Sequence, residues 1–155
     1  MHPLEKIIKK IRHNRSVKEW FFLWNLLRPP YLFLMQLFYK KGIQRQINGV
    51  DKLFLLHKHR NITEIYEPEV WQNIMGELKS DDVFVDVGAS IGLYSIAIAN
   101  RMGENGKVIV FEPDRASFSS LKKHTELNDV EEARMRLIQA ACGLEKKKVA
   151  FKANG

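Results

Sequence analysis

The spacing of apolar residues along this 155-residue chain changes period several times, and each change marks an element. Val83-Phe84-Val85-Asp86-Val87 is apolar at four of five positions, the pattern of a strand buried on both faces, with one acid near its end. Gly88 then permits a sharp turn, and Gly92 lets the next helix start against the strand. From Leu93 the period is helical through Ile96, Ala97 and Ala99, until Gly103-Glu104-Asn105-Gly106 breaks it. Val108-Ile109-Val110-Phe111 is a second continuous run that also ends in an acid, Glu112. Pro113 and Asp114 lead into a helix in which Phe118 and Leu121 recur at helical spacing. Leu137 to Ala141 makes a third strand, closed by Cys142-Gly143, and residues 146–152 alternate weakly as one edge strand. The order β-α-β-α-β predicts an α/β fold with a Rossmann-like parallel sheet and right-handed crossovers.

Upstream, Asn48-Gly49 is a strong two-residue turn signal and predicts a hairpin over Gln44 to Leu56. His57 and His59 alternate with Lys58; with no third ligand near them, solvated strand-end residues are expected and no metal site. Glu67-Pro68 opens a helix whose face is Val70, Trp71, Ile74, Met75 and Leu78, and Ser80-Asp81-Asp82 turns into the central strand. Before the hairpin lies an aromatic, apolar stretch, Trp20 to Leu27 and Tyr31 to Tyr39, cut by Arg28-Pro29-Pro30. A membrane span needs about 20 apolar residues in one run, and Pro30 is expected to break a helix. With no small-residue cleavage site, a removable signal peptide is not expected. Three readings stay open: two helices capping the main domain, an interfacial membrane anchor over residues 5–39, and a true span.

The net charge of +7 belongs to this leading segment. Residues 1–60 carry 13 Lys/Arg against 3 Asp/Glu, and residues 61–155 carry 12 against 15. The division predicts a basic, aromatic extension over residues 1–60 and a separate domain over 61–155. Nucleic-acid binding by the basic lead stays open, but no recognisable module accompanies it, so no nucleic-acid partner is expected. A single cysteine, Cys142, excludes an internal disulfide framework and fits a reducing compartment. A cytoplasmic location follows as the expectation, peripheral to a membrane if the anchor reading holds.

Chemistry concentrates at Asp86 and Glu112, two acids at the ends of neighbouring strands with a Gly-containing loop between them. An acid after the second strand can accept both hydrogen bonds of a ribose diol, so the arrangement suits an adenosine-type cofactor. A dinucleotide site wants Gly-x-Gly-x-x-Gly, whereas this loop reads Gly88-Ala89-Ser90-Ile91-Gly92. Asp86 would repel a phosphate and attract a cation. S-adenosylmethionine has a sulfonium, an ammonium and a ribose diol, and no phosphate. Structural alternatives remain for each acid: Asp86 as a cap of the following helix, Glu112 as a salt-bridged loop residue.

Val83 to Gly92 resembles the first motif of class I S-adenosylmethionine-dependent methyltransferases, and more narrowly that of the FkbM-type enzymes. Tyr66-Glu67-Pro68 ahead of it, Val110-Phe111-Glu112-Pro113 after it, Leu127-Asn128 and Ala140-Ala141-Cys142-Gly143 extend the likeness over about residues 61–152. The class usually has Gly where Ser90 stands. The resemblance implies that Asp86, Gly88, Ala89 and Gly92 border the methionine end of the cofactor. It gives Glu112 the ribose, Pro113 the shaping of the loop after it, and Tyr94 and Ala141 places in the wall. Cys142 and His124 read as structural. The implied reaction is O-methylation of a small-molecule hydroxyl, on a sugar or polyketide. The implied sheet has about seven strands, so the chain reads as the N-terminal part of a truncated domain, with no catalytic base to name. A nicotinamide-dependent oxidoreductase and a non-catalytic, membrane-associated interaction protein are the competing expectations.

Overall fold

A computed structural model of the chain describes residues 41–145, together with residues 29, 30, 147 and 148. Pro29 and Pro30 are helical, where the sequence suggested a break, and Lys147 and Lys148 are coil. The cap, anchor or span expected over residues 5–39 otherwise falls outside the described residues, as does most of the edge strand expected over 146–152. Two compact units divide the chain, Met1–Lys40 and Lys41–Gly155, and every strand of the described residues lies in the second.

The hairpin forms as β1 (Ile43–Ile47) and β2 (Asp51–Leu55), paired antiparallel with Ile47 opposite Asp51. Asn48 and Gly49 both take positive φ, 51° and 72°, as their turn chemistry allows. Asn48 also stitches the turn to the chain ahead of the first helix: its Nδ2 donates to Tyr66 O and its Oδ1 accepts from Tyr66 N–H, both at 2.8 Å. Ile47, Leu53 and Leu55 are fully buried in the core that also holds Leu93, Ile96 and Leu121, and the hairpin lies in the unit that begins at Lys41. Polar anchors reinforce this. Asn128 pairs with both the N–H and the C=O of Phe54 at 2.8 Å, standing in for a neighbouring strand. Asp51 accepts from the Trp71 indole N–H at 2.7 Å and from Arg101 Nε at 2.7 Å.

After a single 3-10 turn at His57–His59, helix α1 (Pro68–Glu77) starts with Pro68 in its first turn. The turn replaces the strand end expected for the two histidines. Trp71 is buried and Ile74, Met75 and Leu78 pack partly against the core, whereas Val70 points away. Strand β3 (Val83–Val87), helix α2 (Leu93–Arg101), strand β4 (Lys107–Phe111), helix α3 (Arg115–Leu127) and strand β5 (Met135–Ile138) complete the unit. The sheet is parallel with order β3-β4-β5, as the strand pattern predicted. The third strand starts two residues earlier than expected, because Met135 buries its side chain beside Val108, and it is spent by Ile138.

One expectation fails. β3 is not buried on both faces: Val83, Val85 and Val87 are 61%, 51% and 60% exposed. Helix α2 packs against β3 and β4 on the face that carries Phe84, Val108 and Val110, and the opposite face of β3 is left open. Alternation along a strand sends neighbours to opposite faces, so an all-apolar run covered on one side exposes every second residue. Among the described residues, no helix is long and apolar enough to cross a membrane.

Candidate cofactor site

The strand register sets Val87 beside Phe111, so β3 and β4 end level with each other. The loop leaving β3 then folds across the end of β4: the N–H groups of Gly88 and Ala89 both donate to Phe111 O, at 2.8 and 3.2 Å. Positive φ at Gly88 (81°), Ser90 (53°) and Gly92 (85°) makes the reversal, and Gly92 N–H closes it on Ala89 O at 2.8 Å. Gly92 faces Leu121 of α3 so closely that a Cβ would stand far inside van der Waals contact with Leu121 Cδ1.

Both acids lie on the helix-covered side, Asp86 in phase with Phe84, and Glu112 in phase with Val108 and Val110. Glu112 is 5% exposed, and its carboxylate is held by backbone: Oε2 accepts from Ser90 N–H at 2.6 Å and Oε1 from Asp114 N–H at 2.8 Å. It therefore ties the loop to the turn after β4 and is not the salt-bridged residue of the structural alternative. Asp114, the next acid along, caps α3 by accepting from Ser117 N–H at 2.7 Å. Pro113, half-buried between the two, joins them.

Asp86 is half-buried and its Oδ2 accepts from the hydroxyl of Ser95, a fully buried residue in the first turn of α2. Burial pushes the Asp86 carboxyl above the usual range, the Ser95 bonds oppose this, and the Glu112 charge adds to it. The two acids thus act within one electrostatic neighbourhood. Ser95 is a residue that sequence reading passed over; its signal is a small hydroxyl beside Tyr94 at the start of the apolar run of α2.

Beside Asp86 stands an aromatic cluster. Tyr94 lies 4.7 Å from Trp71 and 5.8 Å from Tyr66 between ring centroids, and its OH donates to Glu67 Oε2 at 2.8 Å. Burial first, and then Glu67 and Asp86, push both tyrosine hydroxyls upward. Glu67 holds a left-handed backbone (φ 40°) at the start of α1. Tyr94 was expected in the wall; Tyr66 and Glu67 join it here, foreshadowed by the Tyr66-Glu67-Pro68 motif. The structure thus brings together Asp86, Gly88, Ala89, Gly92, Glu112 and Pro113. Ala141 and Cys142 are exposed in the coil after β5. A groove of about 660 Å³ between α3 and β5, lined by Phe118, Val130 and Met135 among others, includes none of the six.

No protein-family model matches the chain, and no curated protein does. Solved structures do match. An rRNA methylase from Clostridium thermocellum is 23% identical over 47% of this chain and 39% of that chain, with a TM-score of 0.44. P. horikoshii TYW2, in complex with MeSAdo, is 27% identical over 65% of this chain and 36% of that one, at 0.47. The complex of aTrm5 and tRNALeu is 24% identical over 63% and 27%, at 0.45. The chain spans less than two fifths of the length of each. The parallel β3-β4-β5 sheet with its crossover helices is a Rossmann-like α/β arrangement. The expectation of no nucleic-acid partner is corrected by these matches, which include an rRNA methylase and a protein solved with tRNA. The narrower FkbM-type resemblance has no matching family model behind it.

Proposed function

We propose that the unit beginning at Lys41 is the S-adenosylmethionine-binding part of a class I methyltransferase domain. One observation carries this reading: four of the five amides of the Gly88–Gly92 loop are committed within the protein. Gly88 and Ala89 donate to Phe111 O, Ser90 to Glu112 and Gly92 to Ala89 O. A pyrophosphate site needs such amides aimed at the ligand, and this loop is bracketed instead by two carboxylates. That disfavours the nicotinamide alternative and favours a ligand with cationic groups and a ribose diol.

Glu112 fits the ribose role. Each carboxylate oxygen has about two lone-pair sites, so the bonds from Ser90 and Asp114 leave acceptor capacity while fixing the group's orientation. Asp86, steadied by Ser95, places negative charge at the mouth of the loop for an ammonium or sulfonium. Tyr94, Tyr66 and Glu67 wall the same end. When bound, the cofactor supplies a methyl carbon already activated by its sulfonium, so the protein's part is alignment and exclusion of water. The FkbM-type subclass is supported by the order of Tyr66-Glu67-Pro68, Val83–Gly92 and Val110–Pro113.

Calorimetric titration of the full chain with S-adenosylhomocysteine and, separately, NADH tests the reading. Saturable binding of S-adenosylhomocysteine with none of NADH is expected. NADH binding alone, or binding of neither, would overturn it.

A further inference from the structure

His124 has no part in the cofactor contacts, although it touches the same loop from below. It lies in α3, fully buried, and both ring nitrogens are engaged. Nε2 accepts the N–H of Leu56 at 3.0 Å. A ring nitrogen that accepts is unprotonated, so the proton of the neutral imidazole sits on Nδ1 and is donated to Ile91 O at 2.9 Å. Ile91 follows Ser90, whose own N–H holds Glu112. The loop is therefore pinned twice, by Glu112 at its mouth and by His124 beneath.

The groups facing His124 oppose a second proton. From the 3-10 turn, the His59 ring meets it edge-on at 5.1 Å between centroids. Lys58 comes from the same turn, its Nζ donating to Ser120 one helical turn away at 2.6 Å. From β2 and the loop it meets backbone, the Leu56 N–H and the Ile91 carbonyl. Burial holds the imidazole below its ordinary value, the Ile91 carbonyl opposes that, and Lys58 adds to it.

We propose that His124 is a positioning residue that latches the Gly88–Gly92 loop in its ligand-ready shape only while its imidazole is neutral, making cofactor affinity acid-sensitive. The proposal rests on the loop being the cofactor site. A proton taken from solvent by Nε2 would set an N–H against the Leu56 N–H. Two donors cannot share that contact, so the ring must shift and draw Nδ1 away from Ile91 O.

The test uses the full chain, as wild type and as His124→Asn, which keeps a donor for Ile91 but does not titrate. Hydrogen exchange over residues 88–92 is followed without ligand from about pH 8 to about pH 4, corrected for intrinsic rates. Wild-type protection is expected to fall about tenfold as the latch opens, and that of His124→Asn to stay within about threefold. Equal changes in the two proteins, or none in wild type, would overturn the latch. S-adenosylhomocysteine affinity should follow the same pattern, with His124→Asn weaker at pH 8 and less dependent on pH than wild type, the remaining dependence coming from Asp86. Loop opening without S-adenosylhomocysteine binding at any pH would overturn the cofactor reading instead, and pH-independent binding by wild type would overturn the latch alone. Should His124→Asn fail to fold, the imidazole nitrogen shifts of wild type decide. A proton on Nδ1 at pH 8 is expected, and one on Nε2 would refute the proposal.

Discussion

Gly92 is the position where the loop and the core press hardest on each other, and replacing it tests the architecture beneath the site. In Gly92→Ala two costs add. The left-handed backbone, φ 85°, charges a side chain about 1–2 kcal/mol that Gly does not incur. The new Cβ also meets Leu121 Cδ1, the end of a fully buried side chain that must shift to admit it, so overpacking of about 1–3 kcal/mol follows. The stiffer unfolded chain returns about 0.4–1 kcal/mol, leaving a net loss of about 1–4.5 kcal/mol, centred near 3. Gly88→Ala is the internal control. Its φ is 81°, but no atom lies within 4 Å of the added Cβ, so only the backbone cost applies. In urea unfolding, with a slope of about 1–3 kcal/mol per M, Gly92→Ala should lower the midpoint by about 1 M or more at an unchanged slope. Gly88→Ala should lower it by less than half as much. Equal midpoint shifts for the two variants would refute the close packing of α3 under the loop.

Two further outcomes are expected. Asp51→Ala strands the buried Trp71 indole N–H and releases Arg101, and should cost about 2–3 kcal/mol in the same assay; Arg101→Ala leaves the indole bond intact and should cost about 1 kcal/mol. Stability should also fall with acid. Burial depresses both His59, to about 4, and His124, so the unfolded chain binds more protons than the fold. Their contribution is complete above about pH 6.5 and is lost as pH falls toward about 4. Asp86 runs the other way, since its raised value makes the fold prefer the protonated carboxyl. Asp86→Asn should therefore show a steeper loss than wild type as pH falls toward the ordinary carboxylate range, and a shallower one would contradict the burial assigned to Asp86.

The parallel sheet and the loop were legible because continuous apolar runs ending in acids leave few alternatives: Asp86 and Glu112 do share one face, Glu112 two positions beyond Asp86's partner Val110, and Gly88 and Gly92 do turn with positive φ. What could not be read was tertiary. Val83, Val85 and Val87 look the same whether a strand is covered once or twice, because covering elements come from elsewhere in the chain. The hairpin was grouped with the basic extension by charge, yet Leu53 and Leu55 belong to the core and Asn128, 74 positions from Phe54, supplies its edge partner. His124 and Ser95 carried no motif. Their meaning lies in bonds to Ile91, Leu56 and Asp86 that only the fold brings within reach.

The central claim is a division of labour, with Glu112 holding a ribose diol and Asp86 the cationic methionine end. A pair of ligands separates the two roles: S-adenosylhomocysteine, and 5′-methylthioadenosine, which keeps the ribose and lacks the amino-acid portion. Titration of wild type, Asp86→Asn and Glu112→Gln with each is the direct measurement. Glu112→Gln is expected to weaken both ligands by about tenfold or more, the value of a charge-assisted hydrogen bond. Asp86→Asn should weaken S-adenosylhomocysteine by a similar factor and leave 5′-methylthioadenosine within about twofold of wild type. Equal losses for the two ligands in Asp86→Asn, or unchanged binding in Glu112→Gln, would contradict it.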